Sequence, residues 1–114
     1  YKRFLVSINS TMPAISRDRR DLAATGHPCT TRIGCRATVS SVFANGSRVL
    51  RPGDRLLPHT IIKCTPDGCF CIGHSAKINR GSRTVFAEGR PVARRGDSAD
   101  RGRMIQGSPN VFAG

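Results

Sequence analysis

The apolar positions of this chain fall in short bursts rather than in helical stripes. Val42-Phe43-Ala44, Val49-Leu50, Val85-Phe86-Ala87, Val92-Ala93 and Val111-Phe112-Ala113 are each two or three residues long, with Gly, Asn, Asp and Arg clustered between them. No helical periodicity persists beyond a turn or two. Val-Phe-Ala reads as a short strand, and Asn45-Gly46 or Glu88-Gly89 as a tight turn whose central residues need positive φ. Val-Leu-Arg or Val-Ala-Arg is then the return strand, ended by Gly-Asp. The pattern predicts an all-β domain with no helix longer than two turns.

The bursts repeat. Val42–Asp54 aligns without gaps on Val85–Asp97 with eight of 13 positions identical, and a third copy starts at Val111 and is cut off by the chain end at Gly114. Its approach matches too: Gly81-Ser82-Arg83-Thr84-Val85-Phe86-Ala87 against Gly107-Ser108-Pro109-Asn110-Val111-Phe112-Ala113. One hairpin cannot bury its own apolar face. Three copies therefore predict hairpins packed around a common axis with pseudo-threefold symmetry.

Composition narrows the picture. The 114 residues make one domain, or one domain with a tail, and aromatics at 5% with no Trp allow only a modest core. Lys and Arg number 19 against seven Asp and Glu, a net charge of +12 that attracts nucleic acid, anionic headgroups or an acidic protein patch without choosing among them. No apolar run approaches the roughly 20 residues of a membrane span. Phe4-Leu5-Val6 is too short for a signal-peptide core and no small-residue cleavage site follows it, so export by the general route is not expected. Met12-Pro13-Ala14 reads as a natural start, which makes residues 1–11 an N-terminal extension and 12–114 the domain. Five cysteines, Cys29, Cys35, Cys64, Cys69 and Cys71, cannot all pair within one chain. One or two disulfides plus a liganding thiolate would use them, and the absence of a Cys-x-x-Cys knuckle argues against a zinc ribbon.

The histidines are candidate chemistry. His27, His59 and His74 all lie outside the repeat hairpins, in connections that converge at one end if the hairpins wrap an axis. Three neutral imidazoles on one point make a metal site, and zinc accepts the nitrogen and sulfur donors present. Nothing points to catalysis: there is no Ser/His/Asp ordering, no phosphate loop and no acidic pair in an apolar pocket. Gly26-His27-Pro28-Cys29 lacks a strand or helix to orient a Cys-His pair. A basic nucleic-acid-binding module with a small zinc site is an alternative, against which the lone Tyr and five Phe show no interleaving with basic residues. A disulfide-rich secreted toxin is a second, without a signal sequence to support it.

The stretch Gly81–Asp97 followed by Gly107–Gly114 resembles the PAAR-repeat proteins, with the name-giving tetrad present as Pro91-Val92-Ala93-Arg94 and, drifted, as Arg48-Val49-Leu50-Arg51. Gly26-His27-Pro28-Cys29 and Gly53-Asp54 through His59 look like its phage-type members, and the resemblance covers about Met12 to Gly114. It implies a small conical domain that caps and sharpens the trimeric β-helical central spike of a contractile phage tail baseplate, one tip per trimer. In the virion it would sit at the distal tip, touch the host outer envelope transiently, and need no specific nucleic acid or small-molecule substrate. The alternative is the tip of a bacterial type VI secretion spike. The resemblance also implies a structural metal, zinc or alternatively iron, held at the apex by His27, His59, His74 and a fourth ligand. The family's usual Cys after the last Gly-Asp is missing here, where Gly96-Asp97-Ser98-Ala99-Asp100-Arg101-Gly102 stands. Cys71 ranks first as the fourth ligand, because a thiolate binds zinc better than a carboxylate. Cys29 and Asp100 follow, Asp100 lying seven residues before Gly107 as His74 lies seven before Gly81.

Overall fold

A computed structural model describes residues 12–114, so the extension read at residues 1–11 lies outside the described residues. Twelve strands and no helix make up the described chain: β1 (Ala23–Ala24), β2 (Arg32–Ile33), β3 (Cys35–Arg36), β4 (Phe43–Ala44), β5 (Ser47–Arg48), β6 (Arg55–Leu56), β7 (His59–Thr65), β8 (Gly68–His74), β9 (Phe86–Ala87), β10 (Arg90–Pro91), β11 (Ser98–Ala99) and β12 (Gly102–Met104). All pairings are antiparallel. The all-β expectation holds.

Two of the predicted hairpins form where the turn chemistry puts them. β4 and β5 pair Phe43 with Arg48 around Asn45-Gly46, and β9 and β10 pair Phe86 with Pro91 around Glu88-Gly89. All four turn residues have positive φ, as two-residue hairpin turns require.

The third copy is not cut off. Its return strand comes from the start of the domain: Ala14 bridges Phe112, and Ile15 N–H donates to the Val111 carbonyl at 2.9 Å. Val49 to Val42 at 3.1 Å and Val92 to Val85 at 3.0 Å are the matching bonds in the other two copies. One residue further on, three backbone amides close a ring. Ser16 N–H donates to Ala93 O, Ala93 N–H to Leu50 O, and Leu50 N–H to Ser16 O, at 3.0, 2.7 and 3.0 Å. No side chain is needed for this contact, so Ser, Leu and Ala serve equally at it.

The core is layered around that ring. Ile15, Val49 and Val92 form one buried set with Ala44, Ala87 and Ala113, and Val42, Val85 and Val111 pack half-buried against it. Leu50 and Ala93 belong to a second cluster with Ala23, Cys35, Leu56, Ile78, Ala99 and Met104. Next come Arg17, Arg51 and Arg94, whose backbone N–H groups donate to Asp21, Asp54 and Asp97. Each guanidinium then reaches the turn or the end of another copy: Arg17 to Asn45, Arg51 to the Ala87 carbonyl, Arg94 to the Ala113 carbonyl. Arg17 and Arg94 also grip their own aspartates through Nε, whereas the buried Arg51 Nε has no partner and the second oxygen of Asp54 accepts from Thr38.

The Val-Phe-Ala strands do not bury their phenylalanines: Phe43 and Phe86 are each 56% exposed, and it is the flanking Val and Ala that face the core. A strand alternates its faces, so a three-residue apolar burst sends its middle side chain outward.

Candidate metal centre

The long connection between the first two copies is not a loop. It is the hairpin β7–β8, and His59 and His74 are its first and last residues, directly opposite each other. Opposed residues project from the same face, which is why two histidines 15 positions apart meet, with ring centroids 5.0 Å apart. His27 arrives from the turn after β1, where its backbone N–H donates to Thr25 Oγ1 at 3.0 Å and the Thr25 hydroxyl donates to the Thr30 carbonyl. Its ring lies 5.0 Å from that of His74 and 6.3 Å from that of His59.

The fourth group is Asp100, at the two-residue turn of the β11–β12 hairpin and in the left-handed conformation (φ 55°). Its N–H donates to the Lys77 carbonyl at 3.0 Å, and Asn79 Nδ2 donates to its carbonyl at 3.1 Å. The turn lies hard against β1. A Cβ on Gly102 would stand 2.0 Å from the Ala24 carbonyl oxygen, so only glycine allows this approach.

One carboxylate gathers all three rings. Asp100 Oδ1 lies 3.0 Å from His27 Nε2 and 3.2 Å from His74 Nε2, and Oδ2 lies 2.9 Å from His59 Nε2. Burial by itself pushes the Asp100 carboxyl up; the contacts with His27, His59 and His74 outweigh it and hold the group below its ordinary value.

The donor set fits a cation. The Leu57 carbonyl can only accept, so at 2.9 Å it fixes the proton of a neutral His59 on Nδ1. Nε2 then presents a lone pair to a carboxylate oxygen 2.9 Å away, inside a side chain that is 0% exposed. Either a second proton on the ring or a cation between the two atoms satisfies that contact. A metal ion would fit the second case, and an imidazole whose far N–H is anchored on a backbone carbonyl is the usual support for a metal ligand. His27, His74 and Asp100 have donor atoms that all lie within 4.8 Å of one another, and His59 joins them through its contact with Asp100 Oδ2.

Cys71 stands outside this group. It is three residues before His74 on one strand and so points to the opposite face, where it is bonded to Cys29. A cystine sulfur offers no thiolate, so neither Cys71 nor Cys29 joins the histidines in this structure, and Asp100 is the residue that meets them. A second disulfide joins Cys64 to Cys69. The odd cysteine is Cys35, a buried core residue rather than a ligand, whose thiol burial and the nearby Asp54 and Asp18 push up to about 12. A thiol reagent at neutral pH should therefore find no reactive group in the folded protein, one after denaturation alone, and five after denaturation with reductant. Five without reductant would remove both cross-links.

No protein-family model matches this chain, and no curated protein matches its sequence.

Proposed function

We propose that this chain is the single-copy tip of a trimeric spike in a contractile phage tail, a PAAR-type cap that gives the spike a metal-pinned point. The observation that carries the reading is the threefold arrangement of one chain. Three equivalent backbone stretches close a ring at Ser16, Leu50 and Ala93, and each copy carries a phenylalanine at the middle of its Val-Phe-Ala strand. Phe43 and Phe86 are among the most exposed large apolar side chains of the described residues, and Phe112 holds the third position, half-buried.

A blunt trimeric β-helix ends in three strand edges that attract other strands. A monomer with three like faces meets those edges one to one, and three phenylalanines supply the apolar anchors such an interface needs. The polar end of the domain is pinned by His27, His59, His74 and Asp100, which would hold zinc as a structural ion where little apolar area is available to bury. The spike then concentrates the force of sheath contraction on a small area of the host envelope.

The test is stoichiometry. Mixed with its spike protein and sized by light scattering, the chain should bind one copy per trimer, and Phe43→Asp with Phe86→Asp should weaken that binding at least tenfold, or about 1.4 kcal/mol. Three copies per trimer, or undiminished binding by the double variant, would refute the capping geometry.

A further inference from the structure

The β7–β8 hairpin carries features that neither the ring nor the histidine cluster uses. Its strands pair only with each other, and from Ile62 to Cys71 every residue except Gly68 is exposed. Seven residues a strand make a ribbon about 20 Å long, starting at the His59–His74 pair and leading away from the body. Of the five large apolar side chains exposed among the described residues, three are on it: Ile62, Phe70 and Ile72. A bare two-stranded ribbon is marginal in water. Here Cys64–Cys69 ties the strands next to the turn, and Cys29–Cys71 ties the ribbon to the segment carrying His27. Rigidity is built in while apolar surface is left open.

Cations surround its foot. β3 and β6 set Arg36 directly opposite Arg55, and Arg55 in turn bridges Lys77. Like charges directly opposed on a sheet are destabilising, and none of the three is in a salt bridge among the described residues. Arg101, exposed in the Asp100 turn, adds to the row, and Lys63 lies on the ribbon itself. Asp67, in the ribbon's turn, is its sole carboxylate.

We propose that the β7–β8 ribbon is a preformed prong that engages an anionic lipid bilayer. Apolar side chains seated at the boundary of headgroups and acyl chains, with cations meeting lipid phosphates, are the two contributions that hold a peripheral segment on such a surface. Ile62, Phe70 and Ile72 supply the first, and Arg36, Arg55, Lys63 and Lys77 the second. The inference deepens the spike reading by naming what the point meets, and it rests on that reading only for its biological setting.

The full chain has no Trp, so Phe70→Trp gives a single fluorescent reporter on the ribbon. With vesicles of phosphatidylglycerol and phosphatidylcholine its emission should shift to the blue and the protein should float with the lipid. With phosphatidylcholine alone neither should happen, and raising salt to about 0.5 M should weaken flotation about tenfold or more. The exposed triple change Ile62→Ser, Phe70→Ser, Ile72→Ser should reduce flotation about tenfold while metal content and spike binding stay normal. Arg36→Gln with Arg55→Gln should flatten the salt dependence. No flotation with the anionic vesicles, or flotation that survives the triple change, overturns the proposal. So does a dimer in lipid-free solution that the triple change abolishes, or stronger binding to single-stranded DNA than to vesicles. Loss of spike binding with vesicle binding intact would instead sink the capping reading alone.

Discussion

A chain carrying His59→Ala will purify with almost no bound metal and melt roughly 15 °C or more below the parent. His59 is wholly enclosed, its Nδ1 is committed to the Leu57 carbonyl, and its Nε2 faces Asp100. Structural zinc in small domains contributes about 10–16 kcal/mol of apparent binding energy at neutral pH. That rivals the whole stability of an ordinary domain, about 5–15 kcal/mol, and each kcal/mol lost moves the midpoint of a domain this small by about 4–8 °C. Asp100→Ala should behave like His59→Ala. Cys71→Ser should not: it should keep the metal and lose only the cross-link to Cys29, about 3–4 kcal/mol for a closed loop of this length. Chelation of the parent should loosen the contacts among His27, the foot of the β7–β8 ribbon and the Asp100 turn, while hairpins β4–β5 and β9–β10 stay protected from hydrogen exchange. Elemental analysis and calorimetry on the three variants decide the matter. Metal-free parent protein whose melting ignores chelation would refute the centre, and metal lost from Cys71→Ser would restore the thiolate assignment.

Removing residues 12–17 is expected to abolish cooperative unfolding. The segment supplies the return strand of the third copy, one buried member of the core in Ile15, and two of the three bonds of the backbone ring. It also removes Arg17, which grips Asp21 through Nε and Nη2 at 2.7 and 3.0 Å in a buried pair. The hydrogen bond to Asp21 raises the Arg17 value above its ordinary one, so the guanidinium stays charged. Arg17→Ala isolates the last contribution: a buried carboxylate stripped of its partner costs about 3–5 kcal/mol. Urea titration followed by circular dichroism should show a sloping, non-cooperative loss for the truncated chain and a lowered midpoint for Arg17→Ala. A truncated chain with the parent's midpoint would mean that the third copy needs no closing strand.

Much of the chain's local structure was legible in the residues. Gly46 and Gly89 take positive φ freely and Asn45 tolerates it, which marks Asn45-Gly46 and Glu88-Gly89 as two-residue turns, and both hairpins formed there. The repeated Val-Phe-Ala announced three like units, and three histidines in an otherwise small-cored basic chain announced a cluster. The third return strand was harder to see because Ala14-Ile15-Ser16-Arg17 shares only its arginine and its apolar second position with Pro91-Val92-Ala93-Arg94. The ring is made by backbone amides, so the side chains there were free to differ. The fourth position of the cluster turned on strand register. Cys71 and His74 are neighbours in sequence, but an odd spacing on a strand puts them on opposite faces. Asp100 is distant from every histidine and is brought to them by a turn whose approach depends on Gly102. The sequence by itself determined the turns, the strand bursts and the kinds of donor, since these depend on backbone preferences and chemistry within a few residues. Tertiary structure alone decided which ends of the chain close the ring, which cysteines pair and which carboxylate meets the histidines, because those contacts join residues tens of positions apart and follow from register and packing rather than from any local preference.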